Sequence, residues 1–133
     1  MQVSNQTLQS ILGSKVVSFH AIFAKALGSV PAAVILSQAI FWQEKAAHKS
    51  GIELDDETYF SKTADEWYDE TGVTENQQLT ARSKLSALGI LKEKRAGLPA
   101  KMHYRVDIDS LVAVISGYLN TGKKTGTDSR DKK

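Results

Sequence analysis

Apolar residues recur at intervals of three and four over the first third of the chain, which is the spacing of amphipathic helices. The spacing predicts a short helix around Leu8–Leu12 and a second helix over 18–27, which Gly28 ends. A third helix begins at Ser29-Val30-Pro31, because proline is tolerated in a first helical turn. From Ala32 to Trp42 this helix is apolar nearly all round, so we expect it to lie at the centre of the core.

Two helix starts near the middle of the chain share one pattern, a threonine followed three positions later by Glu or Gln. Thr63 with Glu66 and Thr74 with Gln77 are capping boxes, in which side chains satisfy backbone N–H groups of the first helical turn. Thr71-Gly72-Val73 lies between them and predicts a sharp turn. The segment therefore predicts a helix-turn-helix.

The second helix of this pair is predicted to run from about Glu75 to Leu88, with Gly89 as a left-handed cap. The side chains expected to face the core are Trp67 on the first helix and, on the second, Gln78, Ala81, Leu85 and Leu88. Apolar and polar residues then alternate over 91–95 and 101–107, which predicts a hairpin with its tip at 97–100.

Two weaker elements complete the pattern. A short strand at 59–61 is expected to pair with 52–54 across an acidic turn, and an amphipathic helix places Leu111, Val114, Ile115, Tyr118 and Leu119 on one stripe. The predicted fold class is mainly α with a small β-hairpin: a winged helix-turn-helix with extra N-terminal helices and a C-terminal helix. We expect residues 1–120 to form a winged-helix DNA-binding domain and residues 121–133 to be a basic, disordered tail.

Composition narrows the class of protein only modestly. A chain of 133 residues is long enough for one core but not for two independent ones. It has no cysteine, so disulfide and thiolate chemistry are excluded, and its polar opening residues are unlike a signal peptide. The longest apolar run is too short to span a bilayer. We therefore expect a cytoplasmic protein that does not insert into membranes.

Charge is more informative as a pattern than as the net value of +2. Residues 51–75 hold nine acids and one base, whereas residues 77–105 hold seven bases and one acid. Such a split produces one surface that attracts polyanions and another that repels them, unless the two are simply solvated faces of opposite sign.

The basic half supplies two sets of candidate DNA contacts. On the second helix of the pair, a rotation of about 100° per residue turns five side chains outward, opposite the core, and two of them are apolar: Asn76, Leu79, Thr80, Ser83 and Ala87. With Gln77 and Lys84, which flank this strip, the residues suited to base edges and phosphates are Asn76, Gln77, Thr80, Ser83 and Lys84. The hairpin supplies cations for phosphates: Lys92, Lys94, Arg95, Lys101 and Arg105. Arg82 is expected either to reach outward or to pair with acids of the first helix, and His103 to be an exposed strand residue.

No constellation of residues predicts an enzyme. Gly117, Gly122 and Lys123 approach a phosphate-binding loop, but Lys124 stands where Ser or Thr must hold magnesium. The three histidines lack metal-ligand spacing. Among the acids of the first helix of the pair, Asp65 and Glu66 are more simply explained by its positive end, and Asp69 and Glu70 are expected to be solvated. We expect neither a cofactor nor a metal site.

Several segments occur in an order found in a known family. They are Ala33–Trp42, Lys62-Thr63 with Trp67, Thr71–Val73, Ala81–Leu85 with Leu88–Ile90, and Gly97–Lys101 with Tyr104-Arg105. Over roughly 19–118 the chain resembles the winged-helix domain of phage, prophage and plasmid replication-initiation proteins, akin to the N-terminal domain of DnaD-type primosomal proteins. The resemblance implies binding to double-stranded origin DNA, often as a homodimer, and transfer to a replication-helicase or primosome partner. Many relatives carry a further domain, where this sequence has a lysine-rich tail.

Two alternatives stay open on the sequence. A transcriptional regulator would use the same fold, and the sequence does not separate it from a replication protein. A protein–protein assembly module would dock the acidic 51–75 surface on the basic hairpin of a neighbour, head to tail. The stripe ending at Tyr118 and Leu119 is the expected contact of a symmetric dimer.

Overall fold

The computed structural model describes residues 4–13, 16–48 and 51–131, and within these ranges the chain is a mixed α/β structure of six helices and four strands. The helices are α1 (Asn5–Leu12), α2 (Ala21–Leu27), α3 (Val30–His48), α4 (Ala64–Thr71), α5 (Glu75–Ala87) and α6 (Ile108–Asp131). The strands are β1 (Ile52–Leu54), β2 (Glu57–Ser61), β3 (Leu91–Ala96) and β4 (Lys101–Val106). Each predicted element is present, with ends shifted by a few residues.

The sheet is larger than the predicted hairpin. Its four antiparallel strands lie in the order β1-β2-β4-β3, so the two hairpins form one sheet. Phe60 pairs with Tyr104 and Ser61 with His103, which joins β2 to the edge of β4 that β3 leaves open. An open edge carries unpaired backbone groups, and this pairing satisfies part of it.

Helix α3 lies at the centre of the core, as its all-round apolar sequence predicts. Ala32, Ile35, Leu36 and Ala39 have no exposed surface, and α3 contacts α2, α4, α5, β2 and β4. Beyond the last pair of β4 with β2, the side chain of Gln43 on α3 bonds to the backbone of β4, as a neighbouring strand would. The amide Nε2 donates to the carbonyl oxygen of Val106 at 3.1 Å, and the Val106 N–H donates to Gln43 Oε1 at 2.6 Å.

Three aromatic rings hold α4 against the sheet. Trp67 is fully buried, which confirms it as the core anchor of α4. Its ring centroid lies 6.2 Å from that of Phe60 and 5.6 Å from that of Tyr104, both edge-on. Pairs of this geometry contribute about 0.5–1.5 kcal/mol each beyond their buried area. Burial also raises the pKa of Tyr104.

Both predicted capping boxes are formed. The Thr63 N–H donates to Glu66 Oε1 at 2.8 Å, and the Thr74 N–H donates to Gln77 Oε1 at 3.0 Å, each with the reciprocal bond to the threonine hydroxyl. Gly72, with φ of +77°, ends α4 in the left-handed conformation that the three-residue turn requires. The order helix, short turn, helix, hairpin is therefore present.

Two predictions about element ends differ from the structure. Leu88 is 42% exposed rather than inward, because the chain reverses at Gly89 directly after α5 and Ile90, fully buried, takes the position in the core. The backbone of α6 stays helical through Asp131, into the segment predicted to be a disordered tail. Extending an existing helix is far easier than starting one, and the segment contains no proline.

Helix α1 has the predicted apolar spacing, but none of its residues is buried. Among the described residues, no helix combines the length and apolarity needed to cross a bilayer.

Candidate nucleic-acid interface

Helix α5 presents a polar face to solvent because its opposite face is anchored in the core. Gln78, Ala81 and Leu85 are buried, and the Gln78 amide Nε2 donates to the carbonyl oxygens of Ala64 and Val73 at 3.1 and 2.9 Å. These bonds fix α5 against the start of α4 and the turn between them. All five predicted contact residues of α5 are exposed: Asn76, Gln77, Thr80, Ser83 and Lys84.

Two of these five side chains already hold bonds within the helix. The side-chain oxygen Oε1 of Gln77 accepts from the Thr74 N–H. The side-chain nitrogen Nε2 of Gln77 is therefore the group able to reach a ligand. The Thr80 hydroxyl donates to the Asn76 carbonyl oxygen at 3.2 Å. Leu79, half exposed, lies in the middle of this face. The face therefore combines amide and hydroxyl groups with one apolar side chain.

Arg82 adopts neither of the two arrangements predicted for it. Its Nε lies 3.3 Å from Glu93 Oε2 on β3, and its guanidinium lies 5.6 Å from the ring centroid of Tyr104. The sequence did not place Glu93 beside α5, because strand register is a tertiary feature. The pair joins α5 to β3 and holds the hairpin beside the polar face of α5.

Three of the five hairpin cations are paired with acids of this same chain. Lys92 Nζ lies 3.1 Å from Glu57 Oε1, Arg105 Nε lies 3.4 Å from Glu57 Oε2, and Lys94 contacts the Asp55 carboxylate. Arg105 also donates to the Thr58 carbonyl oxygen at 3.1 Å. These bases and acids share the sheet face that points away from α3.

The sheet topology explains this pairing. Because β2 pairs with β4, the acidic turn of the β1–β2 hairpin lies beside the basic face of β3 and β4. The hydrogen bond from Lys92 to Glu57 raises the pKa of Lys92, as expected for an ammonium group beside a carboxylate. Lys92, Lys94 and Arg105, predicted as phosphate contacts, therefore each have a carboxylate partner within this chain.

Arg95 and Lys101, at the tip end of the hairpin, are exposed and make no ion pair within the described ranges. Arg95 is opposite Met102 in the ladder, and Lys101 is opposite Ala96. Since neighbouring strand positions alternate between faces, these two cations lie on opposite faces of the hairpin. With Lys84 on α5 they form what we call the open cation set: Lys84, Arg95 and Lys101.

His103 is buried, at 7% exposure, so the prediction of an exposed strand residue is wrong. Its Nδ1 lies 3.0 Å from the Lys101 carbonyl oxygen. Ser61 on β2 and Lys94 on β3 flank it in the sheet, and Tyr59 on β2 is also buried. The pairing of β2 with β4, which the sequence did not predict, covers this position.

Sequence analysis missed a polar cluster between α3 and α4. Lys62 is buried, with its Nζ 2.5 Å from Glu70 Oε2 and 4.1 Å from the Trp42 ring centroid. Glu70 Oε1 also accepts from Gln38 Nε2 at 2.9 Å and from Trp42 Nε1 at 2.8 Å. The one available signal was Lys62 itself, the single base in a run of acids. The prediction that Glu70 is a solvated residue is wrong, because three side chains bond to its carboxylate.

The pKa of Glu70 reports the balance within this cluster. Burial acts to raise it, but hydrogen bonds from Lys62, Gln38 and Trp42 together with the charge of Lys62 outweigh burial, and the net shift is downward. The cluster is therefore a structural link that works with an ionised carboxylate. It joins α3 to α4 and includes no member of the open cation set.

Metal-binding residue types do not come together in the part of the chain described: no group of three or more His, Cys, Asp or Glu side chains could hold an ion there. Comparison with protein-family models, with curated proteins and with solved structures finds no match to this chain. The evidence for function is thus the geometry of α4, α5 and the β3–β4 hairpin.

Proposed function

We propose that this protein binds double-stranded DNA as a winged helix, with α5 in the major groove and the β3–β4 hairpin as the wing on the neighbouring backbone. One observation carries the proposal: α5, whose exposed face is polar, is adjacent to the hairpin that carries Arg95 and Lys101, and the Arg82–Glu93 ion pair joins the two elements. A helix that protrudes beside cations suits a groove lined by phosphates.

The open cation set determines how strongly binding should depend on salt. Three phosphate contacts correspond to a slope of log K against log salt of about −2.7. If Lys92, Lys94 and Arg105 were to exchange their carboxylate partners for phosphates, six contacts would bring the slope to about −5. The slope therefore reports how many of these lysines and arginines exchange their internal carboxylate partners for phosphates when DNA binds.

Base recognition by α5 is expected to be modest. Asn76 and Gln77 can pair with adenine edges, and Thr80 and Ser83 can reach either bases or phosphates. The internal bonds of Gln77 and Thr80 reduce the number of groups available. We infer that electrostatic attraction to phosphates supplies most of the affinity and that the DNA sequence changes the affinity only moderately.

The resemblance to phage and plasmid replication-initiation domains supports a role in replication. On that basis the protein binds origin DNA, as a homodimer, and presents it to a replication-helicase or primosome partner. The exposed side chains at the end of the α6 stripe, including Leu119 at 45% exposure, are the surface proposed for the dimer. Replacing Leu119 with Glu and measuring mass in solution tests that contact.

Assembly by charge is less well supported than DNA binding. In that alternative, the acidic 51–75 surface of one copy docks on the basic hairpin of the next, head to tail. Asp55 and Glu57 instead pair with Lys94, Lys92 and Arg105 of their own chain. These internal pairs neutralise part of each surface before any second copy arrives.

Fluorescence anisotropy on mixed-sequence duplex DNA at several salt concentrations tests the proposal. We expect salt-dependent binding that the double variant Arg95→Glu/Lys101→Glu weakens by about a hundredfold, since two phosphate contacts become repulsions. Both side chains are exposed, so folding should be unaffected. Lys25→Glu/Lys45→Glu is the matched control, because it makes the same change in net charge at exposed cations on α2 and α3. Equal loss in the control and the double variant, or no binding by the unaltered protein at low salt, would refute the proposal.

A further inference from the structure

The tip of the β3–β4 hairpin is apolar although cations lie directly behind it. Gly97, Leu98, Pro99 and Ala100 have no side chain that can donate or accept a hydrogen bond. Leu98 is 99% exposed, the largest exposed fraction among the large apolar side chains of the described residues. A tip built only to hold phosphates would be expected to carry polar or cationic side chains.

The two tip cations straddle this apolar turn. Arg95 lies on the hairpin face that also carries Tyr104, and Lys101 lies on the face that carries Lys94 and His103. A hairpin that enters a groove with its tip foremost meets one phosphate backbone on each side. Cations on both faces match that approach, whereas a hairpin lying flat on one backbone would use cations on one face.

The minor groove is the groove that this tip fits. It is about 6 Å wide, too narrow for the hairpin as a whole but wide enough for one projecting side chain. Apolar side chains inserted there contact sugars and base edges and partly unstack base steps, and the cost is offset by the surface they bury. Leu98 lies in the turn beyond the strand positions of Arg95 and Lys101, and its side chain is almost fully exposed.

We propose that Leu98 is an apolar minor-groove contact, inserted between the two backbones that Arg95 and Lys101 hold. This inference rests on the proposed function and adds to it an apolar contact, made by one named side chain at the tip of the wing. It assigns affinity to a side chain that carries no charge. The contribution of Leu98 is therefore largely independent of salt, unlike that of its cationic neighbours.

The experiment measures binding to an alternating dA·dT duplex with and without the minor-groove ligand netropsin. For the unaltered protein we expect netropsin to weaken binding at least about tenfold, because it occupies the space that Leu98 needs. Leu98→Ala should bind about tenfold more weakly without netropsin, at an unchanged salt slope, and should be much less sensitive to netropsin. Leu98→Met keeps an apolar tip and should behave like the unaltered protein.

Leu12→Ala is the matched control, since Leu12 is an exposed leucine on α1 with 59% exposure. The proposal is overturned if Leu98→Ala keeps full affinity, if Leu12→Ala loses as much, or if netropsin leaves binding of the unaltered protein unchanged. Absence of any binding to duplex DNA by the unaltered protein is a different result. It would refute the proposed function itself and appears in the first titration, before any variant is examined.

Discussion

Two regions of the molecule pair acids of the 51–75 segment with lysines, and they differ in burial. At the α3–α4 junction, Lys62 is 5% exposed in its side chain and Glu70 is 26% exposed. On the outer sheet face, the Lys92 and Glu57 side chains are 40% and 35% exposed. Exposed ion pairs contribute little to stability, whereas a buried charge that loses its partner is costly. The junction pair is therefore structural, and the sheet-face pairs mainly set the charge that the surface presents.

The largest expected effect in this comparison is on folding. Lys62→Met keeps an apolar chain beside the Trp42 ring but leaves Glu70 without its cation, so the free energy of unfolding should fall by about 2 kcal/mol. The matched variant Lys92→Met removes an exposed partner and should leave the urea midpoint nearly unchanged. Urea unfolding followed by tryptophan fluorescence measures both. Equal midpoints for the two variants would remove the distinction between the regions.

The Lys62–Glu70 pair at the α3–α4 junction should also make the stability of the fold depend on pH. The pKa of Glu70 lies below its ordinary value of 4.5 in the folded protein, so its stabilising contribution is present above that value and is lost as pH falls through the lower folded pKa. We expect the melting temperature to drop below about pH 4.5. Glu70→Gln should flatten this part of the curve.

The control for the pH measurement is Asp69→Asn, at the exposed neighbouring acid on the same helix. It should leave the acid limb of the stability curve as steep as in the unaltered protein. Thermal unfolding between about pH 3 and pH 7 compares the three proteins over the range in which carboxylates titrate. A curve that Asp69→Asn flattens as much as Glu70→Gln would show that general acid titration, not the junction, sets the slope.

The smallest expected effect is on DNA affinity and has the opposite sign. Glu57→Gln removes the carboxylate shared by Lys92 and Arg105, so these cations become available to phosphates, and affinity for duplex DNA should rise about threefold at low salt. Asp56→Asn removes the same charge from the same hairpin turn at a residue that makes no ion pair in the described ranges. Anisotropy titrations of the two variants should therefore differ. If both raise affinity equally, only net charge matters.

Local patterns predicted the elements well because each pattern acts over a few residues. The capping boxes at Thr63 and Thr74, the turn at Gly72 and the anchors Trp67 and Leu85 were all read from spacing and side-chain chemistry. Each depends on hydrogen bonds or apolar stripes within one or two helical turns. The exposed strip of α5 followed from the same periodicity.

The candidate interface was predicted only in part. Lys84, Arg95 and Lys101 are available as expected, but Lys92, Lys94 and Arg105 are held by Asp55 and Glu57, and His103 is covered. Lys92, Lys94 and Arg105 lie about 35 to 50 positions from their partners in the sequence. A local sequence pattern cannot predict contacts over such separations. Lys62 and Glu70 are only eight positions apart, yet their burial depends on the two tryptophans from α3 and α4.

The sequence by itself determined where helices begin, which stripes are apolar and where charge is concentrated, because these follow from neighbours along the chain. Tertiary structure alone decided which charges remain available. It did so when β2 paired with β4, which brought the acidic turn beside the basic strands, and when α3 and α4 placed their tryptophans around Lys62. Charge acts through space, so a run of bases in a sequence becomes a binding surface only where folding leaves those bases without acids.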